Sequence, residues 1–211
     1  FGENGFEKCL NLKNKKYSYK LGTPPIFSGK NIKEYSVKIS NIVEKVKSSE
    51  GIIFIYSEYI YSGVLPLALA LEHCGFNKLS GNLLDNKEKG KKGKSLGNYI
   101  ILSGNKTLSP NNEKEIKMLT NENISGEKIK IVIGTVVASE GLDLKNIREI
   151  HIMDPWFHLN RLEQIIGRGI RYCSHISIEE PETFMHPQMQ ESFIKHINKA
   201  VSALLKNKQK N

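Results

Sequence analysis

Apolar residues in the first third of the chain switch between two patterns. Over residues 32–46, Ile32, Tyr35, Ile39, Ile42, Val43 and Val46 recur every three or four positions among lysines and serines, the spacing of one apolar stripe on a helix. The next segment, Gly51-Ile-Ile-Phe-Ile-Tyr56, has no such period. A short run of β-branched and aromatic residues predicts a strand buried on both faces. Residues 64–73 then predict a helix closed at Cys74-Gly75, where glycine can take the left-handed cap conformation.

The alternation continues downstream. Residues 99–102, 128–133 and 149–153 predict further strands, and residues 110–119 and 158–171 predict helices. Strands alternating with helices predict an α/β fold in three layers, with a mainly parallel sheet covered on both faces. Two stretches stand apart. Residues 1–30 are polar and lysine-rich with a turn at Thr23-Pro24-Pro25, and predict a poorly ordered lead-in. Residues 80–98, with five lysines and one glutamate over 86–95, predict an exposed insertion loop. Near the end, Pro187 opens an amphipathic C-terminal helix in which Met189, Phe193, Ile197, Val201 and Leu204 form the stripe. No run approaches the ~20 apolar residues of a bilayer span, so no membrane partner is expected. A start at Phe1, without an initiator Met or a leader pattern, reads as an internal piece of a longer polypeptide.

Charge changes the picture less than its placement does. The 211 residues carry 31 basic and 22 acidic side chains, a net +9. Scattered lysines fit a polyanion, and equally a solvated surface in a protein rich in lysine, isoleucine and asparagine. The four arginines are different: Arg148, Arg161, Arg168 and Arg171 all fall within 24 consecutive residues. Three separated cysteines, Cys9, Cys74 and Cys173, suit a reducing intracellular compartment and no disulfide framework. Cys173, His175 and His186 match no metal-ligand spacing, and no metal site is expected in this chain.

On the predicted helix 158–171, Gln164, Arg168 and Arg171 lie within about 60° of one another, with Arg161 beside them. Leu162, Ile165, Ile166 and Gly169 occupy the opposite face. Neighbouring guanidines repel unless an anion meets them, and their planar fork suits phosphate. Upstream, residues 134–143 form a small polar turn after a strand and end at Asp143; Asp154 ends the next strand. Parallel sheets bind ligands at such strand ends. Gly93, Lys94 and Ser95 imitate the end of a phosphate loop, but Glu88 stands where that loop needs glycine and a strand follows.

These segments resemble superfamily 2 helicases of the DEAD/SNF2-like kind over residues 32–175. Residues 134–143 resemble motif V, and Gln164-Ile-Ile-Gly-Arg-Gly-Ile-Arg171 resembles motif VI. Gly51-Ile-Ile-Phe-Ile-Tyr-Ser57, after Tyr35-Ser-Val-Lys38, resembles the motif IV strand. Gly63-Val-Leu-Pro-Leu-Ala-Leu-Ala-Leu-Glu72 and Arg171-Tyr-Cys-Ser-His175 are similar to helicases of large DNA viruses.

The resemblance implies the C-terminal RecA-like lobe of a two-lobed motor, spanning residues 31–175. It implies that Arg168 and Arg171 act as arginine fingers on ATP, with Gln164 assisting, and that Gly141, Asp143 and Gly167 face the nucleotide. Ser57 and Thr135 would lie nearer the DNA or RNA backbone. ATP and Mg2+ would be held mainly by an N-terminal lobe of the same polypeptide, leaving this piece inactive alone. Cytoplasm, viral factory or virion would all be suitable locations. The rival readings are a non-catalytic nucleic-acid-binding lobe and a fragment of an ABC-type ATPase.

The second rival comes from residues 176–211. Ile176-Ser-Ile-Glu-Glu-Pro-Glu182, with Met185-His-Pro-Gln188 after it, resembles the Walker B region of ABC-type ATPases, particularly overcoming-lysogenisation-defect nucleases. There Glu179 and Glu180 would serve magnesium and the attacking water. Two unrelated signatures within a few residues imply either a fusion or a misassembled gene.

Overall fold

The computed structural model describes residues 2–88, 95–135, 144–155 and 159–169, all in the first of two units, Phe1–Ile178. The second unit, Glu179–Asn211, lies outside the described residues, as does the expected C-terminal helix.

Helix α1 (Glu3–Cys9) leads into an antiparallel hairpin of β1 (Leu10–Lys13) and β2 (Lys16–Tyr19). Its two-residue turn holds Asn14 at φ 51° and Lys15 at φ 61°, the left-handed pair whose twist matches the flanking strands. The first 30 residues are therefore not the poorly ordered lead-in expected from their composition. Phe6, Leu10, Tyr17 and Phe27 are buried, and the Phe6 ring meets those of Tyr17, Phe27 and Tyr61 at 5.7, 5.7 and 6.0 Å. A few widely spaced aromatics, each covering a large area, anchor a segment whose remaining residues are polar.

The amphipathic stretch 32–46 forms two helices, α2 (Ile32–Tyr35) and α3 (Val37–Ser48). Ser36 divides them: its backbone is extended, and its hydroxyl accepts the Ile39 amide at 3.3 Å as the N-cap of α3. Strand β3 (Ile52–Tyr56) follows, then a π-helical turn (Ile60–Val64) continuing into α4 (Leu65–His73). Gly75, at φ 104°, turns the chain out of α4 as the sequence suggests.

Strand β4 (Phe76–Lys78) was not foreseen, since Phe-Asn-Lys is too short and polar to announce a strand. The supposed insertion loop 80–98 is only partly exposed. Leu83 and Leu84 are buried, and the backbone of residues 83–85 bonds to both sides of Tyr17, with Tyr17 N to Leu83 O at 2.7 Å and Asp85 N to Tyr17 O at 2.8 Å. Residues 89–94, which hold Gly93 and Lys94, lie outside the described residues. Then come β5 (Gly97–Leu102), α5 (Asn112–Asn121), β6 (Ile131–Gly134), β7 (Ile147–Ile152) and α6 (Leu159–Gly169).

Strands β4, β5, β6, β3 and β7 lie in that order in one five-stranded sheet, every pair parallel. Side chains alternate across it. Ile53, Ile55, Tyr99, Ile101, Ile131 and Ile133 face one core shared with α3, α4 and the N-terminal aromatics. Ile52, Phe54, Tyr56, Ile100, Leu102 and Val132 face a second core with Leu119 of α5 and Ile165 of α6. This is the expected RecA-like three-layer arrangement. No helix among the described residues is long and apolar enough to cross a membrane.

Candidate functional site

Strands β3 and β7 are neighbours, yet the helices after them cover opposite faces. α4 packs on the first core, while Ile165 of α6 packs in the second. Adjacent parallel strands whose connections diverge leave a crevice at their carboxyl ends, the usual ligand position in such sheets.

One carboxylate bridges that crevice. Asp154, just beyond β7, accepts the Ser57 hydroxyl at 2.6 Å and the Glu58 amide at 3.1 Å, both on Oδ2. The Ser57 hydroxyl also lies 3.3 Å from the Tyr59 carbonyl. It has one proton, so the short, charge-assisted bond to Asp154 is the stronger of the two. Gly63 forms the third wall: a Cβ there would stand 1.9 Å from Ser57 Oγ and 3.0 Å from Ser57 Cβ. Only glycine fits. The adjoining Met153 amide donates to Tyr56 O at 2.9 Å, and the Met153 carbonyl accepts Lys38 Nζ at 2.6 Å. The first turn of α3 is thereby tied to the same strand end.

Thr135 stands one strand away. Ser57 N donates to Gly134 O at 3.0 Å, and Thr135 N donates to Leu102 O at 3.0 Å, so the ends of β5, β6 and β3 are in register. The structure thus brings Ser57 and Thr135 together, but turned inwards. Ser57 is fully buried and Thr135 is buried; what Ser57 offers a ligand is the turn it begins.

Beyond β5, the Ser103 and Ser109 hydroxyls meet at 2.9 Å, and Asn105 Oδ1 accepts the Thr107 and Leu108 amides at 2.9 and 3.2 Å. This fixed loop borders a cavity of about 820 Å³ rimmed by Lys106, Lys114 and Lys117. Sequence reading passed it over because three lysines among many carry no local signal.

On α6, Ile165 is buried while Glu163, Gln164 and Gly167 are exposed. The helix therefore turns the expected apolar side to the sheet and presents Gln164 to solvent. Arg168 lies within α6, its side chain outside the described residues. Arg171, Gly141, Asp143, Glu179 and Glu180 also lie outside them. An exposed amide, with guanidines encoded one and two turns further on, is a donor set that fits a nucleotide phosphate. Among the described residues no three His, Cys, Asp or Glu side chains group as a metal site.

Asp154 was legible as a strand-end residue but not as the partner of Ser57. Its signal was scarcity, since the chain has only three aspartates and one of them ends a strand.

Residues 78–173 match the family model of the helicase conserved C-terminal domain. The chain is similar to a protein of Acanthamoeba polyphaga mimivirus named "Putative ATP-dependent RNA helicase", 35% identical over 151 residues that cover 70% of this chain and 24% of that one. It is similar to the termination factor NPH-I homolog of African swine fever virus, 31% identical over 181 residues, 72% of this chain and 25% of that one. The chain spans about a quarter of the length of these relatives. A match of another kind is to the endonuclease GajA of Bacillus cereus, 78% identical over 36 residues, 17% of this chain and 5% of that one.

Proposed function

Residues 78–173 belong to the helicase conserved C-terminal domain family, and from that premise we propose that the chain is the second motor lobe of an ATP-dependent nucleic-acid helicase or translocase. The first lobe, in the same polypeptide, holds ATP and Mg2+; the phosphoanhydride of ATP supplies the driving reaction. Arg168 and Arg171 reach that nucleotide as arginine fingers, with Gln164 beside them, and stabilise charge that develops on the γ-phosphate. Gly141, Asp143 and Gly167 line the nucleotide side. DNA or RNA runs over the strand ends at Ser57 and Thr135.

The observation that carries this reading is the convergence of Ser57, Thr135 and Asp154 at three adjacent strand ends, beside a helix that buries Ile165 and exposes Gln164. The test uses the full-length polypeptide. Arg171→Ala should leave nucleic-acid affinity largely intact and remove most nucleic-acid-stimulated ATP turnover, by about a hundredfold or more. Undiminished turnover sinks the assignment and favours a lobe that only binds nucleic acid.

The resemblance of residues 176–188 to ABC-type ATPases, in a chain that also has a 36-residue match to an endonuclease, supports a second reading, for residues 176–211 alone. Identity of 78% over 36 residues, against 35% over 151 with a helicase, is what a junction between unrelated pieces leaves. In this reading the tail is a transplanted ATPase segment in which Glu179 and Glu180 are the magnesium-side acids. Long sequencing reads across the codons for residues 173–182, taken from independent isolates, test it. Continuous coverage supports a fusion, and a break there assigns the tail to a different gene.

A further inference from the structure

Asp154 belongs neither to the arginine helix nor to the turn set against nucleic acid, yet it lies five residues before the one and its carboxylate is bonded to the other. The chain leaving β3 carries residues 57–64, which the reading above sets against the nucleic acid. The chain leaving β7 reaches α6 at Leu159, five residues after Asp154. Between them stands Oδ2 of Asp154, taking the Ser57 hydroxyl at 2.6 Å and the Glu58 amide at 3.1 Å. The contact has no slack. Ser57 is fully buried, and Gly63 lies so close that a single added methyl group would overlap its hydroxyl. A close-packed junction shifts as a unit instead of compressing, so displacement of one strand end is passed to the other.

We propose that Asp154 is a positioning residue that couples occupancy of turn 57–64 by a nucleic-acid strand to the placement of α6, and thereby to strand-stimulated ATP turnover. The proposal rests on the motor-lobe reading. Its chemistry makes a specific demand. Both donors meet the same oxygen, so asparagine at 154 with its carbonyl in that place keeps both bonds, while alanine keeps neither.

The experiment compares strand-stimulated turnover, unstimulated turnover and strand affinity in the full-length polypeptide, using a single-stranded oligonucleotide as probe. Asp154→Ala should reduce the stimulated rate, read at saturating oligonucleotide, about tenfold, a coupling of ordinary size between two sites and a larger loss than in the unstimulated rate. Asp154→Asn should restore the stimulated rate to within about threefold of the parent, because the acceptor remains. Ser57→Ala removes the main donor with little loss of volume and should lower the stimulated rate in the same direction, even if Asp154→Ala does not fold. Added to Asp154→Ala it should cause no further loss. Stimulation that survives Ser57→Ala, or stimulated and unstimulated rates that fall by one common factor, overturns the coupling role. If Arg171→Ala abolishes stimulation but loss of the 57–154 contact does not, the motor-lobe reading stands and this inference alone fails. If the parent shows no strand-stimulated turnover, both fail.

Discussion

The hydroxyl of Tyr99 donates to the carboxylate of Glu72 at 2.7 Å in the interior of the first core, where both side chains are buried. The same carboxylate accepts the Leu83 and Leu84 amides, one on each oxygen, both at 2.7 Å. Three donors from two segments meet one anion on α4. Burial, then the neighbouring charge of Glu72 and their hydrogen bond, push the Tyr99 hydroxyl well above its ordinary pKa, so it remains a donor at any working pH. Glu72→Ala would strand two buried amides and a phenol, at a cost of roughly 3–5 kcal/mol. Tyr99→Phe removes one donor and should cost about 1.5–3 kcal/mol. Urea unfolding of the two variants checks the order.

Lys78, on the edge strand β4, and Glu115, on α5, are both buried, and the Lys78 ammonium is bonded to the Ser80 hydroxyl. Burial lowers the Lys78 pKa and raises that of Glu115; attraction between the two opposes both shifts without cancelling them. A raised carboxyl pKa gives stability that is complete below the ordinary value of 4.5 and lost as pH rises through the folded value. A lowered ammonium pKa gives stability that is complete above the ordinary value of 10.5 and lost as pH falls through the folded value. Glu115→Leu removes a carboxyl that burial disfavours and leaves Lys78 bonded to Ser80 and near the charge of Glu72, so it should change stability by less than about 1 kcal/mol. Adding Lys78→Met removes the second buried charge and should stabilise relative to that single variant. Denaturant midpoints of the two variants and the parent at pH 7 test the sign.

Gly63 needs space rather than an unusual backbone. A methyl there would meet Ser57 Oγ at 1.9 Å, so Gly63→Ala should destabilise by about 1–3 kcal/mol through overpacking. Ser57→Ala removes the atom that collides first but leaves Ser57 Cβ at 3.0 Å. The double variant should therefore cost less than the sum of the singles, with an interaction energy of about 0.5–3 kcal/mol read from a thermal-melting cycle. Additive costs would mean the turn relaxes away from Ser57.

How far the sequence foretold this structure depends on the range of each signal. The central strands β3, β5 and β6 were legible because burial on both faces leaves continuous runs such as Ile52–Tyr56. β4 was not, because its position comes from pairing with β5 and from Asn82 Oδ1 accepting the Lys78 amide at 2.7 Å. The hairpin was hidden for a similar reason, its turn being Asn14-Lys15 and its anchors Phe6, Leu10, Tyr17 and Phe27 following no period. At the site, strand ends and the apolar side of α6 could be read from local pattern. The Ser57–Asp154 bond spans 97 residues, and a hydroxyl and a carboxylate that meet only through sheet order leave no pattern to read.

Helix α6 sets a buried and an exposed side chain at two adjacent positions. Ile165 is 2% exposed and packs in the second core, while Gln164 is exposed. Ile165→Ala should cost about 2–5 kcal/mol, since the sheet cannot close over the lost volume. Gln164→Ala should leave stability within about 0.5 kcal/mol, because alanine is at least as good a helix former and no buried contact is lost. Their functional effects should run the other way at low temperature, where both variants are folded. In the full-length polypeptide, Gln164→Ala should lower strand-stimulated ATP turnover by about ten- to a hundredfold if its amide assists at the γ-phosphate. Ile165→Ala should retain most of that turnover and lose it on warming, in parallel with its melting curve. Turnover unaffected by Gln164→Ala would remove this residue from the nucleotide side and leave α6 acting through its arginines alone.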